Sequence, residues 1–550
     1  MGYKSLVKNI IRKGQKRVSS NNVYESESMG KGLGFFNFLE NFNQRNNPEN
    51  FHSYFELDIN KFSNFLKNSS AEKIEHRGKD MVIKLFKQAS SNIPAYKDYL
   101  KKNKISPDKI NDFSDFKSLP IISKKNYLRK YSIDDLNWKG SLTDLHMISV
   151  SSGSTGEPFY WPRGLGLEYE TSLEHELALK YFFDLDRKKT LFIIGYAMGM
   201  YVAGVFTLNS LMNLVKKGYP LTIVSPGSDK ESIIKIANNL GKKYDQVIIA
   251  AYSPVLKDIV DKGVREGINW KSLNLKFISG GESFSEEFRD YIFKKIGSKN
   301  YLRTSMNTYG SADAAILGHE TPLSILIRRL ANSDKKLQKA LFKQNRLPSL
   351  HQYYPFFKYF EEVDGNLVLS TFGGIPLIRY SIGDSGGIIP FDRMTKVLRE
   401  FGIDIKKEMK GYSSENLIWH LPFVYLFGRK DNTKVYYGAN IYPEHIKSCL
   451  EKDEVINLVT GKFFMDIIFD NNQNQDLYLA IELTVKESPE SGLKKKISSL
   501  IHHNLIHIND EYRYLSQTIG NRIYPKVELF EFGDPKYFSP RIKPAYGKKQ

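Results

Sequence analysis

The chain has 550 residues, 41% hydrophobic and 13% aromatic, enough apolar material for more than one packed core. Lys and Arg number 80 against 61 Asp and Glu, a formal charge of +19 that suits anionic partners, but the basic residues are spread thinly, with no nucleic-acid motif and no dominant basic block. Cys449 is the only cysteine, which excludes an intrachain disulfide and a cysteine-built zinc site and suits a reducing, cytoplasmic setting.

Residues 1–70 read as an irregular basic extension, Asn-rich over 41–50 and without the apolar core and cleavage site of a secretory signal. They suit a frayed tail or, at most, weak peripheral contact with an anionic membrane. Over 70–101, Met81, Ile83, Leu85 and Phe86 recur at helix spacing. Pro120 interrupts regular structure, and Ser123 is placed to cap a following helix. Met147-Ile148-Ser149-Val150 reads as a strand that feeds Ser151-Ser152-Gly153-Ser154-Thr155-Gly156-Glu157-Pro158. Glycines there let a phosphate approach backbone N–H groups, and the hydroxyls add donors without charge. The composition fits a phosphate-cradling loop and also a plain surface turn; the Lys of the Walker-type P-loop is absent. Residues 190–215 carry no charged side chain and are long enough to cross a bilayer. Gly195, Gly199, Gly204, Asn209, Ser210 and Asn213 interrupt that run, so it reads as a buried strand, a turn and a helix, with no transmembrane segment.

Strands over 221–224, 247–250 and 275–278 alternate with helices over 231–240, 254–262 and 285–295. This alternation predicts an α/β architecture of mostly parallel sheet, with ligands off the carboxyl ends of the strands. Ser279-Gly280-Gly281-Glu282-Ser283 and the hydroxyl loop both fall at such ends. A basic helical insert follows over about 321–350, then strands over 368–370 and 377–380 that look antiparallel. A strand over 424–427 leads into Gly428-Arg429-Lys430-Asp431, and beyond it the pattern is that of a small α+β unit. The expected organisation is therefore an extension (1–70), a large domain (71–428) and a small mobile domain (429–550).

Five stretches stand in order: the hydroxyl loop, the Gly280 turn, Asn307-Thr308-Tyr309-Gly310-Ser311-Ala312-Asp313, Arg379-Tyr380-Ser381-Ile382-Gly383-Asp384, and the Gly428 turn. From about residue 75 to the end this resembles the adenylate-forming (acyl/aryl-CoA ligase) superfamily, and most the phenylacetate–CoA ligase branch with its CapK-type capsular-polysaccharide proteins. The resemblance implies an ATP-dependent enzyme that turns a small carboxylic acid into an acyl-adenylate and passes the acyl group to coenzyme A. By the same resemblance Ser151, Ser152, Gly153, Ser154, Thr155 and Gly156 hold the outer phosphates. Gly280, Gly281 and Glu282 line the adenine, Tyr309 and Gly310 meet the base, and Thr308 reaches the α-phosphate. Asp384 accepts from the ribose hydroxyls, which suits an ionised carboxylate. Arg429 helps hold the ribose, and Asp431 is the hinge of the small domain. Asp313 stands where the family usually has a Mg²⁺-binding Glu, one methylene longer. The family's catalytic lysine best matches Lys548, with Lys543 and Lys549 as competitors. The acyl pocket is expected around 196–204, 251–254 and Gly280, with Tyr196 and Tyr252 in its wall; such residues suit a flat or aromatic acid, and core packing needs the same types. Two alternatives stay open: an acceptor that is a carrier-protein thiol or a sugar amine of surface-polysaccharide assembly, and a degenerate nucleotide-binding protein that does not catalyse. The sequence leaves the oligomeric state open.

Overall fold

The computed structural model describes residues 54–143, 145–150, 159–199, 202–281, 283–344, 346–429, 434–437, 439–469, 475–485, 489 and 491–538. The first helix among the described residues, α1 (Ile59–Asn68), is capped by the Asp58 carboxylate, which accepts from Asn60 N at 2.9 Å. Ile59, Phe62 and Leu66 are buried at helical spacing, so this part of the supposedly irregular extension is ordered against the core. Asn and Lys between those positions had diluted the signal. The helices α2 (Ala71–Asn92) and α3 (Pro94–Lys102) follow, the first capped by Ser70 and the second opened by a proline. Ser123 closes a turn instead of capping a helix: its Oγ accepts from Asn126 N at 3.2 Å, and its own N donates to Asn126 Oδ1 at 2.6 Å.

A hairpin of β1 (Met147–Val150) and β2 (Tyr160–Arg163) brackets the hydroxyl loop. Then come α4 (Leu165–Phe183), β3 (Thr190–Ile194), α5 (Val202–Lys216), β4 (Leu221–Val224), α6 (Lys230–Leu240), β5 (Gln246–Ala251), α7 (Ser253–Arg265), β6 (Leu275–Gly280), α8 (Glu286–Ile296) and β7 (Ser305–Ser311). The strands joined by crossovers, β4-β3-β5-β6-β7, are parallel as the alternation predicts. Both faces are buried. Phe192, Ile194, Ile248, Ala250 and Ile278 share a core with α4, while Leu191, Ile193, Val247, Ile249 and Phe277 pack with α6, α7 and α8. The uncharged run over 190–215 is thus β3 and α5; among the described residues no helix is long and apolar enough to cross a membrane.

β8 (Ala315–His319) turns back along β7, and the insert forms α9 (Pro322–Ser333) and α10 (Lys335–Phe342). β9 (Ser349–Gln352), β10 (Lys358–Val363), β11 (Asn366–Thr371), β12 (Leu377–Ile389) and β13 (Phe423–Arg429) add an antiparallel half, giving the order β10-β11-β12-β13-β9-β8-β7-β6-β5-β3-β4. β8 meets β9 at one residue pair, His319↔Gln352.

Past Arg429, β14 (Lys434–Tyr436), β15 (Ala439–Ile441), α11 (Pro443–Leu450), β16 (Val459–Phe469), β17 (Gln475–Leu483), α12 (Ser491–Ile508) and β18 (Lys526–Phe530) build a small α+β unit with its own core, including Ile446, Met465 and Leu479. It abuts the large domain. Ile456 inserts into the α7–α8 core, Lys257 Nζ donates to Val459 O at 3.1 Å, and Ser285 N donates to Glu451 Oε2 at 3.2 Å.

One buried ionic network positions β7. Glu286 is paired with Arg289 (3.0 Å), Arg329 (3.1 Å) and Arg328, and Arg289 reaches Glu320 at 2.6 Å. The other Glu320 oxygen accepts from Asn307 N at 2.8 Å. Burial alone would raise the Glu286 carboxyl, but the three arginines outweigh it and hold it at about 2, against 4.5 for a free side chain. A depressed folded value means stability that is present above 4.5 and is lost as pH falls toward 2. Glu286→Gln should cost roughly 3 kcal/mol, because it takes the carboxylate from buried Arg328 while Arg289 keeps Glu320 and Arg329 keeps Asp290. Denaturant unfolding at several pH values checks this: the gap between wild type and variant should be full at neutral pH and close below pH 4.5, toward 2.

Candidate active site

The carboxyl end of β6 lies beside the middle of β7, with Ser279 opposite Asn307 and Gly280 opposite Thr308. Thr308 Oγ1 donates to Ser279 O at 3.0 Å, and Asn307 Nδ2 donates to Ser279 Oγ at 2.9 Å. A β-carbon at Gly280 would sit 2.6 Å from Thr308 Oγ1 and 3.3 Å from the Tyr196 hydroxyl. The missing side chain is what lets these two hydroxyls approach one strand end. Gly281 follows with φ +83°, a conformation that favours glycine. Tyr196 donates to Ile278 O at 3.4 Å and meets Tyr252 edge to face at 5.4 Å.

Tyr196, Tyr252, Gly280, Gly281 and Thr308 line a cavity of about 110 Å³ between the sheet and helices α4 and α5. Phe192, Phe206, Ala250 and Ile278 are part of its apolar wall, and Gly280 and Thr308 lie at its mouth. Tyr196, Tyr252 and Gly280 therefore line the same cavity.

Tyr309 and Asp384 meet beside that mouth. The Tyr309 hydroxyl donates to Asp384 Oδ2 at 2.6 Å, and its ring stacks on Phe360 with centroids 6.2 Å apart. Asp384 is half-buried, follows Gly383 (φ +85°), and lies directly opposite Arg429 across β12 and β13. Four of the motif positions thus converge: Thr308, Tyr309, Asp384 and the backbone of Arg429.

Asp313 behaves differently from the expectation of an open metal ligand. Its Oδ2 accepts from Tyr380 OH at 2.6 Å, and Lys124 Nζ lies 3.2 Å from its Oδ1. Lys124 also sits over the Trp161 ring, 5.5 Å from the centroid. Both Asp313 oxygens are thus engaged, and a cation there would have to displace Lys124 or share the carboxylate with it.

The base of the β1–β2 hairpin is fastened to the same place. Arg163 is fully buried, donates to Ala312 O, and reaches Ser149 Oγ at 3.4 Å. Burial lowers its guanidinium to about 10, offset in part by Asp313. Ser151, Ser152, Gly153, Ser154, Thr155, Gly156, Glu282, Asp431, Lys543, Lys548 and Lys549 lie outside the described residues. Sequence reasoning missed Lys124, Tyr380 and Arg163 as neighbours of the site. Tyr380 stood inside a quoted motif, but nothing in its spacing points to Asp313.

The small domain touches the large one beside Arg429. Gly428 has φ +98°, and a β-carbon there would lie 2.2 Å from Glu444 Oε1. Arg346 stacks on Tyr442 at 3.8 Å and on Phe427 at 4.5 Å.

No protein-family model matches the sequence, and no curated protein matches it. Solved structures do. The chain is similar to 2-hydroxyisobutyryl-CoA ligase in the postadenylation state in complex with R3-HIB-AMP, with a TM-score of 0.62 and 14% identity over 88% of this chain and 91% of that one. It is similar to the same ligase in complex with 2-HIB-AMP and CoA in the thioesterification state, with a TM-score of 0.51 and 14% identity over 88% and 91%. At that identity the likeness establishes the fold: a large α/β domain followed by a small α+β domain.

Gly280→Ala should narrow the cavity mouth against Thr308 and Tyr196. Overpacking of this kind costs about 1–3 kcal/mol, so the variant should fold, with a lowered melting temperature. Its affinity for any acid the wild type binds should fall at least tenfold, as read by calorimetry; equal affinity would remove Gly280 from the pocket wall.

Proposed function

We propose that the chain is an ATP-dependent carboxylate-activating ligase that forms an acyl-adenylate and transfers the acyl group to coenzyme A. The observation that carries this reading is the Tyr309–Asp384 pair, set opposite Arg429 and beside an apolar cavity whose mouth is Gly280 and Thr308. A polar corner next to a dry pocket suits a substrate with a sugar at one end and an apolar acid at the other.

In the first half-reaction a carboxylate oxygen attacks the α-phosphorus, the bond to the β-phosphate oxygen breaks, and pyrophosphate leaves. In the second a thiol attacks the acyl carbon and AMP leaves. The protein's contribution is positioning and charge stabilisation. Asp384 accepts from the ribose hydroxyls, and the Tyr309 hydroxyl that it now holds shares or yields that oxygen. Thr308 offers its hydroxyl toward the α-phosphate. Gly280 and Gly281 give a flat surface against the base. Residues 151–156 hold the outer phosphates, and a C-terminal lysine, Lys548 first, meets the charge that develops in the transition state. Asp431 is the hinge. The finer assignment to the phenylacetate–CoA ligase or CapK-like branch, and a sugar amine or carrier thiol as acceptor, rest on the sequence motifs alone. No step is assigned to a metal at Asp313.

The Lys124–Asp313 pair favours a second reading, a chain that binds nucleotide without turning it over. ATP–pyrophosphate exchange across a panel of carboxylic acids separates the two. Acid-dependent exchange is expected, and Asp384→Ala should raise the KM for ATP at least tenfold while shifting the melting temperature by only a few degrees. Nucleotide binding with no exchange for any acid would replace the first reading by the second.

A further inference from the structure

The acyl cavity has a polar end that the reading above does not use. Helices α4 and α5 run parallel: Asn209 bonds Glu168 at 3.0 Å, Asn213 bonds Ser172 at 3.1 Å, and Lys217 bonds Glu176 at 2.7 Å. Because α5 returns from the carboxyl end of β3, both helices descend from the strand tips. Leu167, packed with Phe206 and Ala315, marks the upper level. His175 lies eight residues further on, about 12 Å deeper at 1.5 Å per residue. The strand wall deepens in parallel, from Gly280 at the mouth to Ile278 and then Phe192.

His175 lines this cavity and is 7% exposed. Its Nδ1 lies 2.8 Å from Thr171 O. A carbonyl only accepts, so Nδ1 carries the proton and Nε2 is a bare acceptor. Burial lowers the ring's proton affinity, with the Thr171 carbonyl partly offsetting it, which keeps the imidazole neutral. Among the described residues Nε2 has no hydrogen-bond partner. The neighbouring hydroxyl at this depth is engaged, since Thr171 Oγ1 donates to Leu167 O at 2.8 Å. An unmatched acceptor in the wall of an apolar pocket, well below its mouth, penalises any occupant that leaves it unpaired.

We propose that the acid this site takes carries a hydrogen-bond donor, a hydroxyl or amino group, at the end remote from its carboxylate, and that His175 Nε2 accepts from it. This rests on the acyl-pocket reading above and narrows it to a substrate class. The cavity, about 110 Å³, is somewhat smaller than the engineered 150 Å³ void that holds benzene, so the acid spans about one ring or a short chain.

The test uses matched acids that differ only in the terminal donor: 4-hydroxyphenylacetate against phenylacetate, 4-aminobenzoate against benzoate, and 6-hydroxyhexanoate against hexanoate. Each is titrated calorimetrically into the whole protein, with and without α,β-methylene-ATP. For at least one pair the donor-bearing acid should bind at least tenfold tighter, because a site built around a polar partner rejects the analogue that lacks it. His175→Phe should bring that pair within threefold, and His175→Gln, which offers a carbonyl acceptor, should restore part of the preference. Three results overturn the proposal: no donor-bearing acid binds, every pair binds equally, or the preference survives in His175→Phe. Should either variant fail to fold, the wild-type ratios alone decide. Because binding is read apart from turnover, absent pyrophosphate exchange with the preference intact would sink the ligase reading and leave the donor selection standing.

Discussion

A hydrogen bond of 2.6 Å joins two strands that lie four places apart in the sheet, through Tyr309 on β7 and Asp384 on β12. At about 4.8 Å per strand, a flat sheet would hold them about 19 Å apart, beyond the reach of two side chains. The bond exists because the sheet curls, and the curl falls where β8 and β9 share only the pair His319↔Gln352. Side chains hold that seam where the ladder is short. Gln352 donates to Trp419 O at 3.1 Å and to Leu421 O at 2.8 Å, and accepts from Thr321 Oγ1 at 2.6 Å. Tyr380 to Asp313 and His351 to Asn307 close the same fold-back. Residues from opposite halves of the large domain share one corner only while this curvature is kept.

The residues of that corner are legible in the sequence as ordered motifs, while the strands that carry them are only partly so. The sequence pattern places the 221–224 strand with its final bounds and the 247–250 and 275–278 strands within two residues at either end, whereas β7, which carries Thr308 and Tyr309, carries no strand reading in the sequence. β12 is legible in part, read as ending at Tyr380 although it continues to Ile389. Gly383, Gly386 and Gly387 look like breakers in a sequence. In the folded chain a β-carbon at Gly386 would lie 2.0 Å from Tyr425 O, so that glycine marks a close backbone approach inside the strand. The Lys124–Asp313 pair was illegible for another reason. The two residues are far apart in the chain, and no local spacing encodes a contact that only the curled sheet makes.

The site also divides its electrostatics by depth. The network of Glu286, Arg289, Arg328 and Glu320 keeps charges buried behind β7, fully paired, and hands a fixed backbone to Asn307 and Thr308. On the α4–α5 side of the sheet, the described residues that line the cavity include no Asp, Glu, Lys or Arg. Rigid charge behind and neutrality in front lets β7 be held firmly without drawing water into the pocket.

The place of β13 has a consequence for how the chain is made. It lies between β12 and β9, yet it is translated after both. A chain growing from the ribosome completes β3, β5, β6 and β7 early, so the walls of the acyl cavity can assemble first. β9 and β12 then wait, each with a row of unsatisfied amides and carbonyls, until residue 429 has emerged. The corner built on Asp384 is a late product of biogenesis, and those open edges are where a nascent chain of this protein is most exposed to mispairing with its neighbours.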